Sequence, residues 1–426
     1  MKVGGSVDGP ATRKRGPAPC KAGRRAGLWV ALVLFVAALP VSPARARKSS
    51  GVVEDSHSIH FWDEQRKGAN FFNQVPARER FQSATELGLE FIRLVPDKWK
   101  TEQKDFLIGS ADQYVGLAEA DLKKLTAALD DAAKLGHHVV LGMLGLPGAR
   151  WSQANQGKDD YRLWDEERFQ GQAVRFWRDL AERLRRHPAI VAYDPLNEPH
   201  PAREQGIDGA EDEAFADWLK KIVGTAADLD RFNRRIVSAI REVDPTTPIL
   251  LEGYGYGSAA GLSYLTPVDD PDILYSFHFY EPWQYTTTRV NAGRYRYPDA
   301  MPDFWNAPPR PWTRDDLKQR IQPVLDWAAR HRIPANRIVA AEFGCGRRSP
   351  GAVQYLSDVI AMLNEGGFHW AFYSYREDTW DSMDYELGTG ARAPGGWQLL
   401  ERGEYRIKRW SDNPLFEVLR REFQRK

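Results

Sequence analysis

A chain of 426 residues with 42% hydrophobic and 27% charged residues has the make-up of a globular protein, not of a disordered or polytopic membrane protein. Its formal charge of +1 conceals an asymmetry: residues 1–46 hold eight of the 59 Lys and Arg but one of the 58 acids, so the remainder carries 51 against 57, a charge of −6. That balance argues against nucleic acid or an anionic membrane as partner, and two cysteines, Cys20 and Cys345, exclude a Cys-rich metal site.

In chain order, the basic segment with Arg13, Lys14, Arg15, Lys21, Arg24 and Arg25 precedes an apolar run over 27–39, then Pro40, Pro43 and Ala44-Arg45-Ala46. This is the pattern of a signal peptide over 1–46, cleaved to leave one catalytic domain over 47–426. The apolar run is short for a membrane span, which needs about 20 residues. The expectation is an exported protein, secreted or periplasmic, without stable membrane insertion, and a monomer. Cys20 leaves with the leader, so Cys345 remains alone.

Strands are expected over 68–72, 90–95, 138–144, 190–196, 248–253, 273–279, 337–342 and 368–374, where apolar residues run nearly continuously, as in parallel strands buried on both faces. Helices are expected over 117–135, stopped by Gly136, over 169–187, ahead of Pro188, and over 231–243, 315–331, 352–365 and 414–423. Eight strands mostly separated by helices give an α/β class and a single (β/α)8 barrel, with an open doubly wound sheet as the structural alternative. The segment 281–311, with Trp283, Tyr285, Tyr295, Tyr297, Phe304 and Trp305, reads as a folded aromatic loop over the barrel mouth. Gly253-Tyr254-Gly255-Tyr256-Gly257 has the wrong glycine spacing for a dinucleotide site and reads as the loop after strand five. His137-His138 lies at the non-catalytic end of strand three and reads as structural. Trp380 to Glu386 supplies acids and aromatics after strand eight.

Chemistry in such barrels sits at the C-terminal ends of the strands. There, strand four delivers Asn197-Glu198-Pro199 and strand seven Glu342-Phe343-Gly344. Two converging carboxylates are what retaining glycoside hydrolysis requires. Strand six delivers His278 and Tyr280 on one face. Arg93, inside the apolar second strand, needs a carboxylate partner.

Together Arg93, Asn197-Glu198-Pro199, His278-Phe279-Tyr280 and Glu342-Phe343-Gly344, with Lys67-Gly68-Ala69-Asn70 as first strand, resemble glycoside hydrolase family 5 over residues 57–425. The resemblance implies that Glu198 is the acid/base and Glu342 the nucleophile, acting on a β-glucan-like or β-mannan-like carbohydrate. It further implies that Asn197 binds the sugar 2-OH, that Arg93 and Tyr280 flank Glu342, that His278 tunes Glu198, and that neither metal nor organic cofactor is needed. Two positions depart from the family. Leu144 stands where a His usually ends strand three, and Tyr373 where a Trp usually floors the sugar site, unless a shifted register gives that place to Trp370. A non-catalytic carbohydrate-binding barrel is the alternative of another class; a transglycosylase or a glycolipid-directed glycosidase would use the same carboxylates.

Overall fold

The computed structural model describes residues 58–303, 307–378, 382–390 and 413–425. The leader expected over 1–46, with Phe304, Trp305, Trp380 and Asp381, lies outside the described residues.

Eight parallel strands close into a barrel: β1 (Lys67–Phe71), β2 (Phe91–Leu94), β3 (His138–Gly142), β4 (Ile190–Asp194), β5 (Ile249–Glu252), β6 (Ile273–Phe279), β7 (Ile338–Phe343) and β8 (His369–Phe372). Each strand pairs with its neighbour in sequence, and β8 returns to β1 through Lys67 opposite Trp370. An open doubly wound sheet is thereby ruled out. The third and fourth strands stop earlier than their apolar runs suggest. Beyond Gly142 the Leu144 N–H turns to the Asp97 carboxylate (2.9 Å), and beyond Asp194 Pro195 has no N–H to give.

The helices cover the strands by the usual logic of one apolar stripe. In the helix Glu167–Leu184 the buried Phe169, Ala173, Phe176, Trp177, Leu180 and Leu184 recur three, four or one apart. Between β5 and β6 the covering helix shrinks to the single turn Ala259–Leu262. The barrel interior is filled by Phe91, Val140, Ala192, Leu250, Leu274, Val339, Ala341 and Ala371. A 3-10 turn, Ile59–Trp62, plugs the end from which the strands start. There Trp62 is fully buried against Phe91 and His369, its indole donating to the Val191 carbonyl at 3.2 Å. His137 bonds the Phe81 carbonyl (2.7 Å) at this same end, a structural contact.

The expectation for 281–311 needs correction. This segment folds into two short turns, Trp283–Thr286 and Thr288–Asn291, and an antiparallel ribbon of Asp299–Met301 with Arg310–Trp312. Tyr285, Tyr297 and Trp312 are buried, the first two packed on Tyr355 of helix Ala352–Glu365 at 5.2 and 5.4 Å. They belong to the large core between strands and helices, not to a cleft wall; their number reflects packing.

Candidate active site

Arg93 organises the mouth of the barrel. It points from β2 into a space with no exposure and spends its donors on four strands' residues. Its Nε donates to Asp194 (2.8 Å), Nη1 to Glu342 Oε1 (2.7 Å) and Asn70 (3.1 Å), and Nη2 to Asn197 Oδ1 (2.8 Å) and Glu252 Oε1 (2.7 Å). Burial alone would push the guanidinium down, but the charges of Asp194, Glu252 and Glu342 outweigh it and hold Arg93 charged.

The two glutamates meet here in different surroundings. One carboxylate oxygen of each, and a ring nitrogen of His278, lie within 4.8 Å of one another. Both Glu342 oxygens are acceptors, one from Arg93 and the other from the Tyr280 hydroxyl at 2.8 Å. Glu198 instead faces His278 Nδ1 at 3.1 Å. Burial raises the Glu198 carboxyl; the His278 hydrogen bond opposes this and the nearby Glu342 charge adds to it. Asp194 is likewise pushed up to about 7, by burial against the pull of Arg93. His278 is desolvated, yet Glu252, Glu342 and Glu198 hold its proton well above the ordinary range. Glu198, His278 and Glu342 thus form a hydrogen-bonded charge network at the mouth of the barrel.

The sequence reading missed Glu252. It is buried at the end of β5 and accepts at both ends: Oε2 from the backbone N–H of Glu198 (2.7 Å), Oε1 from Arg93, with His278 Nε2 at ion-pair distance (3.2 Å). His278 and Arg93 overcome burial and keep its carboxyl below the usual value. No motif marks Glu252; the only signal was an acid closing an apolar strand at the catalytic end, the same signal that exposed Glu342. Asp194 and Asn70 join the network as well, and the sequence reading gave neither a role, although Asn70 stands in the first-strand motif. Glu198 itself has φ +53°, and His200 Nδ1 clamps its carbonyl at 2.5 Å, so the backbone of this residue is held on both sides.

The remaining candidates separate. Tyr373 sits at the mouth, its ring edge-on to Phe72 at 5.3 Å, while Trp370 points outward between Phe343 and Phe423 of the last helix; the shifted register is excluded. Leu144 is half-buried beside Glu198 and Asn197. Of the stretch after β8, Tyr385 bonds the Cys345 backbone and Glu386 pairs with Arg376 (3.0 Å), so these residues serve the fold.

Comparison with known proteins gives this geometry a lineage. The family model for cellulase (glycosyl hydrolase family 5) matches residues 55–379. Endoglucanase C of Acetivibrio thermocellus is 23% identical over 356 residues, covering 77% of this chain and 91% of that protein. A β-xylosidase of Phanerodontia chrysosporium is 27% identical over 241 residues, 55% of this chain and 43% of that protein. Among solved structures, endoglucanase Cel5A of Thermotoga maritima superposes with a TM-score of 0.59 at 15% identity, covering 86% of this chain and 99% of that one. The match of the family model across most of the barrel shows that the chain belongs to glycosyl hydrolase family 5 and is a glycosidase.

Proposed function

We propose that this glycosidase cleaves internal bonds of a β-glucan with retention of configuration, Glu342 attacking the anomeric carbon while Glu198 protonates the departing oxygen. The observation that carries the reading is the pair of carboxylates within 4.8 Å, one held by two donors and one raised by burial. Retaining enzymes place their carboxyl groups about 5 to 5.5 Å apart. Glu342 bonds C1 and the glycosidic C–O bond breaks, the leaving sugar taking the Glu198 proton. Glu198, now a base, draws a proton from water, which displaces Glu342. Asn197 gives its Oδ1 to Arg93, which leaves the amide N–H2 to donate to a sugar 2-OH. Tyr373 offers a ring to the sugar face.

Several relatives are named endoglucanases, which supports a β-glucan substrate. One structural neighbour was solved with mannotriose, so β-mannan is the second substrate to test. The leader read in 1–46 supports an exported enzyme meeting polysaccharide outside the cytoplasm. The test is reducing-sugar release from β-glucans, β-mannans, xylans and aryl β-glycosides by the wild type and by Glu342→Gln, with the product anomer followed by NMR. Release of the β-anomer first, lost in the variant, is the expected result. Binding without release would establish a carbohydrate-binding barrel instead.

A further inference from the structure

Where the barrel closes, β8 against β1, the ladder ends early. Its last paired residues are Ala69 and Phe372, and beyond them the Tyr375 N–H reaches across to the Asn70 carbonyl at 3.3 Å. The N–H groups of Phe72 and Asn73, which follow β1, are met by a side chain instead, the carboxylate of Glu377. Phe72 N lies 3.0 Å from both Glu377 oxygens, Asn73 N 3.1 Å from Oε1 and Asn73 Nδ2 3.3 Å from Oε2. A backbone N–H buried without an acceptor is costly, and Glu377 supplies the acceptors that a longer strand would have given.

Glu377 is 1% exposed and carries its charge against Arg80. Arg80 Nη2, on the helix Arg78–Leu87, donates to Oε1 at 2.7 Å and also to the Tyr375 carbonyl, while its guanidinium lies 4.0 Å over the Phe71 ring. A buried ion pair contributes little over an apolar filling of the same volume. The reason for this one lies in what the carboxylate holds.

What it holds leads to the site. The Phe72 ring stands edge-on to Tyr373 at 5.3 Å, and the Arg93 guanidinium lies 5.6 Å from its centroid. Tyr373 sits four residues before Glu377 in the same segment, where the Ser374 hydroxyl donates to the Glu377 carbonyl at 2.8 Å. One side chain thus binds the segment that carries Tyr373 to the segment that carries Phe72. We infer that Glu377 is a positioning residue for the sugar being transferred: it fixes the Phe72 ring, which sets the tilt of the Tyr373 ring offered to that sugar. This deepens the hydrolytic reading and rests on it. A glutamine does not take its place, because an amide accepts at one end only and turns its N–H2 against the Phe72 N–H or Arg80. The ring face serves bound substrate and transition state alike, so its displacement shows in KM more than in kcat.

The test measures kcat and KM by reducing-sugar release on the polysaccharide that the wild type degrades fastest, with kcat corrected for the folded fraction by circular dichroism. Glu377→Gln is expected to raise KM about tenfold with kcat within about threefold, and Glu377→Asp, which keeps both acceptor oxygens, to raise KM less. Phe72→Ala is expected to raise KM about as much as Glu377→Gln, and the double variant no further, since the two residues act in series. An unchanged KM with a lowered thermal midpoint overturns the role and leaves Glu377 a staple of the barrel seam. So does a double variant in which the two losses add in full. If Glu377→Gln yields no folded protein, Glu377→Asp decides by the same readings: a raised KM supports the role and an unchanged one overturns it. A wild type that degrades no polysaccharide overturns the hydrolytic reading and the role with it.

Discussion

Glu252 has to be a carboxylate because it accepts on both ends, from the Glu198 N–H on one side and from Arg93 on the other, with His278 beside it. An amide of the same shape accepts at one end only and turns its N–H2 against a donor at the other. Glu252→Gln is therefore expected to lower kcat/KM on polysaccharide by about 100-fold, within the range that general acid–base catalysis supplies, with a circular dichroism spectrum unchanged. Dinitrophenyl glycosides, whose leaving group needs no proton, are expected to suffer less in their first step. An equal loss on both substrates would assign Glu252 to the barrel and not to Glu198. In the sequence the motif residues were legible because their neighbours mark them: Asn197 and Pro199 around Glu198, Phe343 and Gly344 after Glu342. Glu252 carries no such flank, and its importance comes wholly from β5 standing between β4 and β6.

At the scale of the element, the strands were legible because burial on both faces leaves an unbroken apolar run, and their ends were not, because the run continues into loops whose N–H groups find side chains such as Asp97. The ribbon and turns after β6 were misread for a related reason: tyrosines are equally at home on a sugar and in a core, and only the contact with Tyr355 decides between them. The turn Ile59–Trp62 had no strong pattern at all, yet it closes the barrel floor. Replacing Trp62 by Ala leaves a cavity among Phe91, His369 and the strand ends, and is expected to cost about 3 to 5 kcal/mol in urea denaturation. Because Trp62 lies at the end opposite the carboxylates, the molecules that remain folded are expected to keep their wild-type kcat. A fall in kcat at full folding would mean that the floor transmits strain to the mouth.

For the whole molecule, two buried carboxyls outside the catalytic network make part of the stability depend on pH. Glu281 and Asp97 are each pushed up to about 7, chiefly by burial, with the Glu211 charge adding at Glu281 and the Leu144 and Gly145 N–H groups opposing at Asp97. In the unfolded chain both titrate near the ordinary carboxylate values. Between those values and about 7 the folded state binds more protons at these two groups, so the stability they contribute is fullest at low pH and is lost as pH rises through about 7. Glu281→Gln keeps an oxygen to accept from the Tyr280 N–H and removes the ionisation. Its thermal midpoint is expected to exceed that of the wild type at pH 8 and to match it at pH 5, checked by calorimetry at both; a constant difference would place the effect in packing.

Arg93, bonded at once to residues of or just beyond β1, β4, β5 and β7, makes one demand that the apolar core cannot make. Aliphatic layers tolerate a strand that slides along its neighbour, since Val, Leu and Ala fill one another's places. A guanidinium does not: in any other alignment it would meet hydrocarbon where it now meets three carboxylates. The group that assembles the chemistry thus also acts as a checksum on the chain, and a barrel closed out of step is penalised at the one place where it would also be inert.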